Sequence, residues 1–310
     1  MENTKKYSIF PIENDGLWDY YKKMESTLWK AQEVDLSDDE FSKLEESQKR
    51  YLKMLLLFFA NSDSVVADNL ALNFLQEDIP EEAKFFYSLQ LYNENVHNET
   101  YGLIIDNYIK DEKEKNDAFN SIFTQPVVAK KMEWAIRWLE NATFEEKIVA
   151  FSAVEVILFS STFAGIFGFK SLDKKMEGLY VANEWISRDE LLHGEFACYF
   201  YNNFIENKLS EDRIKEIILG AYEVEKQFII DCFGNGVIGF SKDNMIQYVQ
   251  YVTDNLLGYY NIKSVFNVQQ PFSYMDLIAL PKRDNFFEKR VTEYKNIIND
   301  GIGVDEDLDF

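Results

Sequence analysis

Ile148 to Phe169 reads IVAFSAVEVILFSSTFAGIFGF, flanked by Lys147 and Lys170, and among its 22 residues only Glu155 is charged. A run of this length could cross a bilayer on hydropathy alone. Three features argue against a membrane span: the chain lacks a second comparable run, the stretch lies mid-chain between acidic segments, and a carboxylate sits near its middle. A helix apolar on every side and buried in a protein core is the better reading. An ionised carboxylate in such a place costs many kcal/mol unless it takes a proton or meets a cation. Glu155 therefore needs a partner from elsewhere in the sequence.

The chain has only 2 histidines, and each follows a glutamate by three residues: Glu94 and His97 in YNENVHNETYG, Glu190 and His193 in SRDELLHGEF. Positions i and i+3 share a helix face, so each E-x-x-H aims one carboxylate and one imidazole at the same point. One such match is weak. Two matches using both histidines point to a shared centre, and an oxygen-rich set with two imidazoles suits iron or manganese better than zinc or calcium.

Composition narrows the rest. The 310 residues suffice for a substantial core; 26 Phe, 18 Tyr and 5 Trp stand against only 5 Pro and 13 Gly, so long helices are expected. A net charge of -22 argues against binding to nucleic acid or to an anionic membrane surface. Cys198 and Cys232 form no C-x-x-C, which points away from a disulfide framework and a thiolate metal site and toward a reducing cytoplasm. The opening MENTKKYSIFPIEN has no apolar h-region. No phosphate-binding glycine loop or nucleophile elbow is present.

Along the chain, residues 1–14 read as extended, and apolar spacing predicts a helix over Leu17–Trp29, ended by Trp29. A second runs over Tyr51–Leu75, in which Asp63 follows a turn of Leu, Phe and Ala. Pro80, with Glu81 and Glu82 after it, predicts a helix start and a run to about Lys110. A short helix is expected before Pro126, then helices over Val127–Leu139, from Phe144 onward, Leu179–Phe204, Ser210–Phe233 and Lys242–Tyr260. Gln269–Pro281 reads as irregular, and the acidic end beyond Tyr294 as unordered in isolation.

Four helices thus bring inward Asp63, Glu94 with His97, Glu155, and Glu190 with His193. Carboxylates from two helices and E-x-x-H from two others is the donor pattern of di-iron and di-manganese bundle proteins, here with one Asp for a Glu. Four carboxylates balance two divalent ions, so the site can be buried near neutrality. Phe159 and Phe163 lie four and eight residues past Glu155, Ile186 four before Glu190, and Tyr101 four past His97. A tyrosine so placed beside a redox metal pair could be oxidised and then shielded by Phe and Ile; the plain alternative is a core aromatic with one hydrogen bond. Asp189, next to Glu190, could take the second N–H of a ligand histidine, or pair with Arg188.

The longer motifs PIEN, LWKAQEVDLS, FFANSD, ENVHNETYGLIIDNYIKD, AFSAVE with SSTFAGIF, ISRDELLHGEFAC and NFFEKRV, with the acidic tail, span nearly the whole chain. They resemble the small, radical-generating subunit of class I ribonucleotide reductases of the eukaryotic and large-DNA-virus type. That resemblance implies an all-α, ferritin-like helical bundle with a di-metal carboxylate site over residues 1–285, followed by a C-terminal segment and flexible tail over 286–310. It implies two iron ions in an oxo-bridged centre, manganese being second choice, with Asp63, Glu94 and His97 on one ion and Glu155, Glu190 and His193 on the other. Tyr101 matches the radical tyrosine, with Phe159, Phe163 and Ile186 as its pocket.

On the same resemblance, Trp29, Asp189 and His97 form the inner part of a radical-transfer route and Tyr294 the outer part. The tail Val304, Asp305, Glu306, Asp307, Leu308, Asp309 and Phe310 docks to the large catalytic subunit, where ribonucleotides are reduced to deoxyribonucleotides. The small subunit is expected to be a cytoplasmic homodimer. Two other readings stay open on the residues alone: a di-iron oxygenase or oxidase of the same fold, and a non-enzymatic bundle, either iron-storing or a metal-free scaffold.

Overall fold

The computed structural model describes residues 8–120 and 125–275, and among these every regular element is helical. Helix α1 spans Asp15–Glu25, α2 Glu46–Asn69, α3 Glu81–Tyr108, α4 Glu112–Phe119 and α5 Pro126–Asn141. Next come α6 Phe144–Ala153, α7 Ser160–Ser171, α8 Glu177–Phe204, α9 Glu211–Phe233 and α10 Lys242–Tyr259. Local chemistry sets several starts. Thr143 and Glu146 close a reciprocal capping box before α6, while Ser210 and Ser241 each accept the backbone N–H three residues on.

α1 stops earlier than its apolar spacing predicts. The hydroxyls of Ser26 and Thr27 donate back to the Lys23 and Met24 carbonyls (2.7 and 3.0 Å), closing the last turn. Trp29 consequently stands outside the helix, in the connection before a short turn at Ala31–Glu33. Pro80 likewise lies one place outside α3, as its N-cap.

The central apolar stretch is not one uniform helix. Between α6 and α7 the chain widens into a π-helical turn, Val154–Leu158, and a second such turn, Leu70–Phe74, extends α2. Phe144–Ser171 packs against α2, α8, α9 and α10. Being enclosed on all sides, it has no polar face to present. Its mean hydropathy of 1.8 and full burial account for a membrane-like composition inside a core. The expectation that no second comparable stretch exists needs correction: Glu46–Phe74 also passes on length and hydropathy (1.3), but only about half of that window (56%) is buried.

Two further devices hold the bundle. Lys131 on α5 and Glu225 on α9 form an ion pair at 2.7 Å with both side chains fully buried, and Ser161 donates to the same carboxylate. After α10 the chain folds back because Asp254 accepts the backbone N–H groups of Val265, Phe266 and Asn267 at 2.7, 3.1 and 2.7 Å. Cys198 and Cys232 are both free and buried.

Candidate metal centre

α2 contributes Asp63, α3 contributes Glu94 and His97, the π turn contributes Glu155, and α8 contributes Glu190 and His193; all six are at most 2% exposed. One donor atom each from Glu94, Glu155, Glu190 and His193 lie within 4.8 Å of one another, and so do donors from Asp63, Glu94 and His97. Glu94 belongs to both groups and so joins them. His97 Nδ1 is 3.0 Å from Glu190 Oε1, and His193 Nδ1 is 2.8 Å from Glu190 Oε2 and 3.2 Å from Glu94 Oε1.

These donors are more numerous than their mutual contacts can satisfy. Asp63 Oδ2, Glu94 Oε2, Glu155 Oε2 and His193 Nε2 are buried with no hydrogen-bond partner among the described residues. Buried polar atoms are nearly always paired. Four orphans in one pocket, all oxygen or imidazole nitrogen, fit a pair of first-row divalent metal ions.

The electrostatics carry the same message. Burial, then the charges of Glu94 and Glu190, push Asp63 well above the usual carboxylate range. Burial, then Glu190 and Glu94, do the same to Glu155. Burial works against protonation of the imidazoles, yet the Glu190 charge and its neighbours hold His97 well above its ordinary value and His193 at about 9. Glu190 moves the other way: burial would raise it, but His193 and His97 lower it. In the metal-free protein, protons stand in for cations.

Gln90, one turn before Glu94, donates to Glu155 Oε1 at 3.0 Å and to Glu94 Oε1 at 3.4 Å. Ser62 donates to Asp63 Oδ1 at 2.9 Å. Sequence reasoning passed over both because it followed charged residues; the one-turn spacing of Gln90 from Glu94 was the available signal. Asp189 makes both contacts considered for it. Its Oδ2 lies 3.3 Å from His97 Nε2 and accepts the indole N–H of Trp29 at 2.7 Å, while its Oδ1 accepts from Arg188 at 2.9 and 3.1 Å. The Trp29 ring also stacks on His97 at 5.9 Å.

Tyr101 is 1% exposed, and its hydroxyl has no hydrogen-bond partner among the described residues. Its ring stacks on Phe59 at 4.6 Å, and Phe59 in turn meets Phe163 at 4.8 Å and Phe159 at 5.7 Å. Phe59, one turn before Asp63, is the neighbour that spacing from Glu155 could not supply. Ile186 is buried on α8, one turn before Glu190. Burial, then Asp63, raises the Tyr101 phenol well above its ordinary value. Tyr294 and Val304, Asp305, Glu306, Asp307, Leu308, Asp309 and Phe310 lie outside the described residues, as does the expected boundary at 285.

A helical bundle whose facing helices bring together two E-x-x-H pairs and two further carboxylates belongs to the ferritin-like class of di-metal carboxylate proteins. Residues 6–271 match the family model described as ribonucleotide reductase, small chain. The chain belongs to that family, and its enzymatic class is ribonucleoside-diphosphate reductase. It is 45% identical to the ribonucleoside-diphosphate reductase small chain of Plasmodium falciparum, over 95% of this chain and 84% of that protein. It is 44% identical to subunit M2 of the human enzyme, over 96% and 77%.

Among solved structures, the yeast ribonucleotide reductase Rnr4 homodimer superposes with a TM-score of 0.76 at 31% identity, covering 95% of this chain and 91% of the other. The dimanganese(II) NrdF of Streptococcus sanguinis shares the fold, with a TM-score of 0.74 at 19% identity over 85% and 94%.

Proposed function

We propose that this chain is the radical-generating subunit of its reductase, holding two iron ions rather than manganese between Asp63, Glu94, His97, Glu155, Glu190 and His193. The observation that carries the reading is the pair of donor groups sharing Glu94, with four unpartnered atoms, beside a tyrosine whose hydroxyl is unbonded. When bound, the metal pair supplies the oxidising power, drawn from dioxygen, that one-electron oxidation of a phenol needs.

The chain's own residues do the rest. Tyr101 is a protonated phenol at neutral pH, as any tyrosine is, and burial lifts its pKa further, so it must give up a proton with its electron. Phe59, Phe159, Phe163 and Ile186 keep water and reductants from the ring. Asp189 orients the His97 imidazole through Nε2 and takes the Trp29 indole N–H on the same oxygen. Trp29, Asp189 and His97 therefore form one contiguous line from the site to the connection that follows α1, a suitable path for electron and proton transfer. Tyr294 and the Val304–Phe310 tail complete the reading as the outer step and the dock for the large subunit.

A dimer is supported by the homodimeric yeast relative. All six donor positions are filled, which disfavours a metal-free scaffold. The test is electron paramagnetic resonance after ferrous iron and dioxygen are added to metal-free protein, with Tyr101→Phe alongside. A tyrosyl signal in the unsubstituted chain only, at two irons per chain by metal analysis, is expected; the same signal in both would reject Tyr101.

A further inference from the structure

A small cavity lies between α2, α5, α6 and the π turn. About 20 Å³ is open to the centre of a water-sized sphere, above the ~10–15 Å³ that one water needs. Eleven of its fifteen lining residues are apolar, among them Phe58, Val66, Met132, Trp138, Leu158 and Phe159.

The four polar lining residues each have a hydrogen bond or an ion pair elsewhere, while the Lys131 ammonium and the Trp138 indole N–H, both buried in this wall, lack a hydrogen-bond partner among the described residues. Ser62 bonds the Phe59 carbonyl and Asp63; Asn69 accepts from Asn73, which in turn accepts from Lys147; Lys131 is tied to Glu225. The Lys131 ammonium is also covered by the Phe58 and Phe228 rings at 3.5 and 3.8 Å. A trapped water requires two to four polar partners; the two N–H groups here are donors only, one of them already facing a carboxylate, and the eleven apolar side chains suit the chamber to a small apolar molecule.

Its inner wall is the wall of the metal centre. Ser62 touches both the cavity and Asp63; Val154 and Leu158 belong to the π turn that carries Glu155; Phe58 and Phe159 pack on Phe59, which stacks on Tyr101. The outer end lies at half-buried Lys147 and at Trp138.

We infer that this chamber is a binding site for dioxygen, holding the apolar diatomic reactant against the Asp63 side of the centre before it reacts. The inference rests on the di-iron reading above and adds where its oxidant is stored. Dioxygen binds here without covalent change, and its reduction belongs to the metal centre.

Xenon is the structural probe and ferrous-loaded protein the functional one. Crystals of the full chain under xenon should show an atom within the chamber. Ala135→Leu and Ala150→Leu, which fill it from α5 and α6, should exclude xenon. They should take up anaerobic ferrous iron to the same stoichiometry as the unsubstituted chain, yet need at least threefold more dissolved oxygen for half-maximal oxidation. Two independent fillings guard against one that merely misfolds, since either must retain its ferrous stoichiometry to be scored. An empty chamber under xenon, or filled variants with unchanged oxygen dependence, would overturn the assignment and leave the di-iron reading standing. Failure of the unsubstituted chain to take up iron would overturn both.

Discussion

Tyr101 carries a hydroxyl that nothing in the described bundle satisfies, and a buried polar group without a partner costs about 1–3 kcal/mol. Tyr101→Phe removes that group while leaving the stacked ring on Phe59. Metal-free Tyr101→Phe should be as stable as the parent, or more so by up to about 1 kcal/mol in urea unfolding, while its radical signal disappears. A marked loss of stability would mean that the hydroxyl has a structural partner.

The histidines give a second test at the same scale. His193 has a folded pKa near 9, raised above an ordinary value of about 6.5. Its contribution to metal-free stability is fully present below about pH 6.5 and lost as pH rises through about 9. Asp63, Glu155 and His97 are raised too and act in the same direction. Glu190 is lowered, so its contribution is lost only in acid, below the range that matters here. His193 alone should therefore cost the metal-free protein on the order of 3 kcal/mol between pH 6.5 and 9, at ~1.4 kcal/mol per pKa unit, and the other raised groups should add to that loss. Metal-loaded protein should not lose this stability, since the ions replace the protons. Loading at neutral pH should release protons, visible with an indicator dye in weak buffer, and should weaken as pH falls.

Among the elements, α8 approaches the π turn closely at Gly194, beside His193. A Cβ there would stand 2.4 Å from Val156 Cγ2, well inside contact distance. Gly194→Ala should push Val154–Leu158 away from α8 and separate Glu155 from Glu190 and His193. Iron content should drop by at least half although no donor has changed, and full occupancy would show that the turn yields. The α5–α9 crossing offers a contrast. Lys131→Met alone strands a buried carboxylate and should cost about 3–5 kcal/mol in urea unfolding, whereas Lys131→Met with Glu225→Leu should recover most of that loss.

The elements also show what periodicity can carry. The long helices follow it to within a few residues, because their apolar faces meet other helices. It misplaces the end of α1, where the Ser26 and Thr27 hydroxyls compete for backbone carbonyls. It is silent on the π turn at Val154–Leu158, since a stretch apolar on every side has no stripe whose drift would betray a widened turn. The donors Asp63, Glu94, His97, Glu155, Glu190 and His193 were legible because charge and imidazole are rare in such surroundings. Gln90, Phe59 and the Lys131–Glu225 pair were not, because glutamine, phenylalanine and surface-like charges are common and only packing gives them meaning.

For the molecule as a whole, the proposed docking to a large subunit falls to the acidic tail, whose Leu308 and Phe310 set among Asp and Glu would suit an apolar groove with a basic rim. Removing Val304–Phe310 should abolish reductase activity in the reconstituted complex while leaving iron content and the tyrosyl signal intact; retained activity would place the dock elsewhere. Adding salt should weaken that association, as expected for an acidic tail on a basic rim.

The widened turn at Val154–Leu158 fixes the length of the central segment to the single residue. One amino acid fewer there would restore an ordinary helix and leave Phe159 and Phe163 facing Phe59, because a π turn is one extra residue absorbed locally; what would move is the turn itself and the Glu155 carboxylate on it. An in-frame loss of one codon in this turn should therefore leave the bundle folded and show itself as lost metal, whereas the same loss one turn to either side, in ordinary helix, should unseat the core.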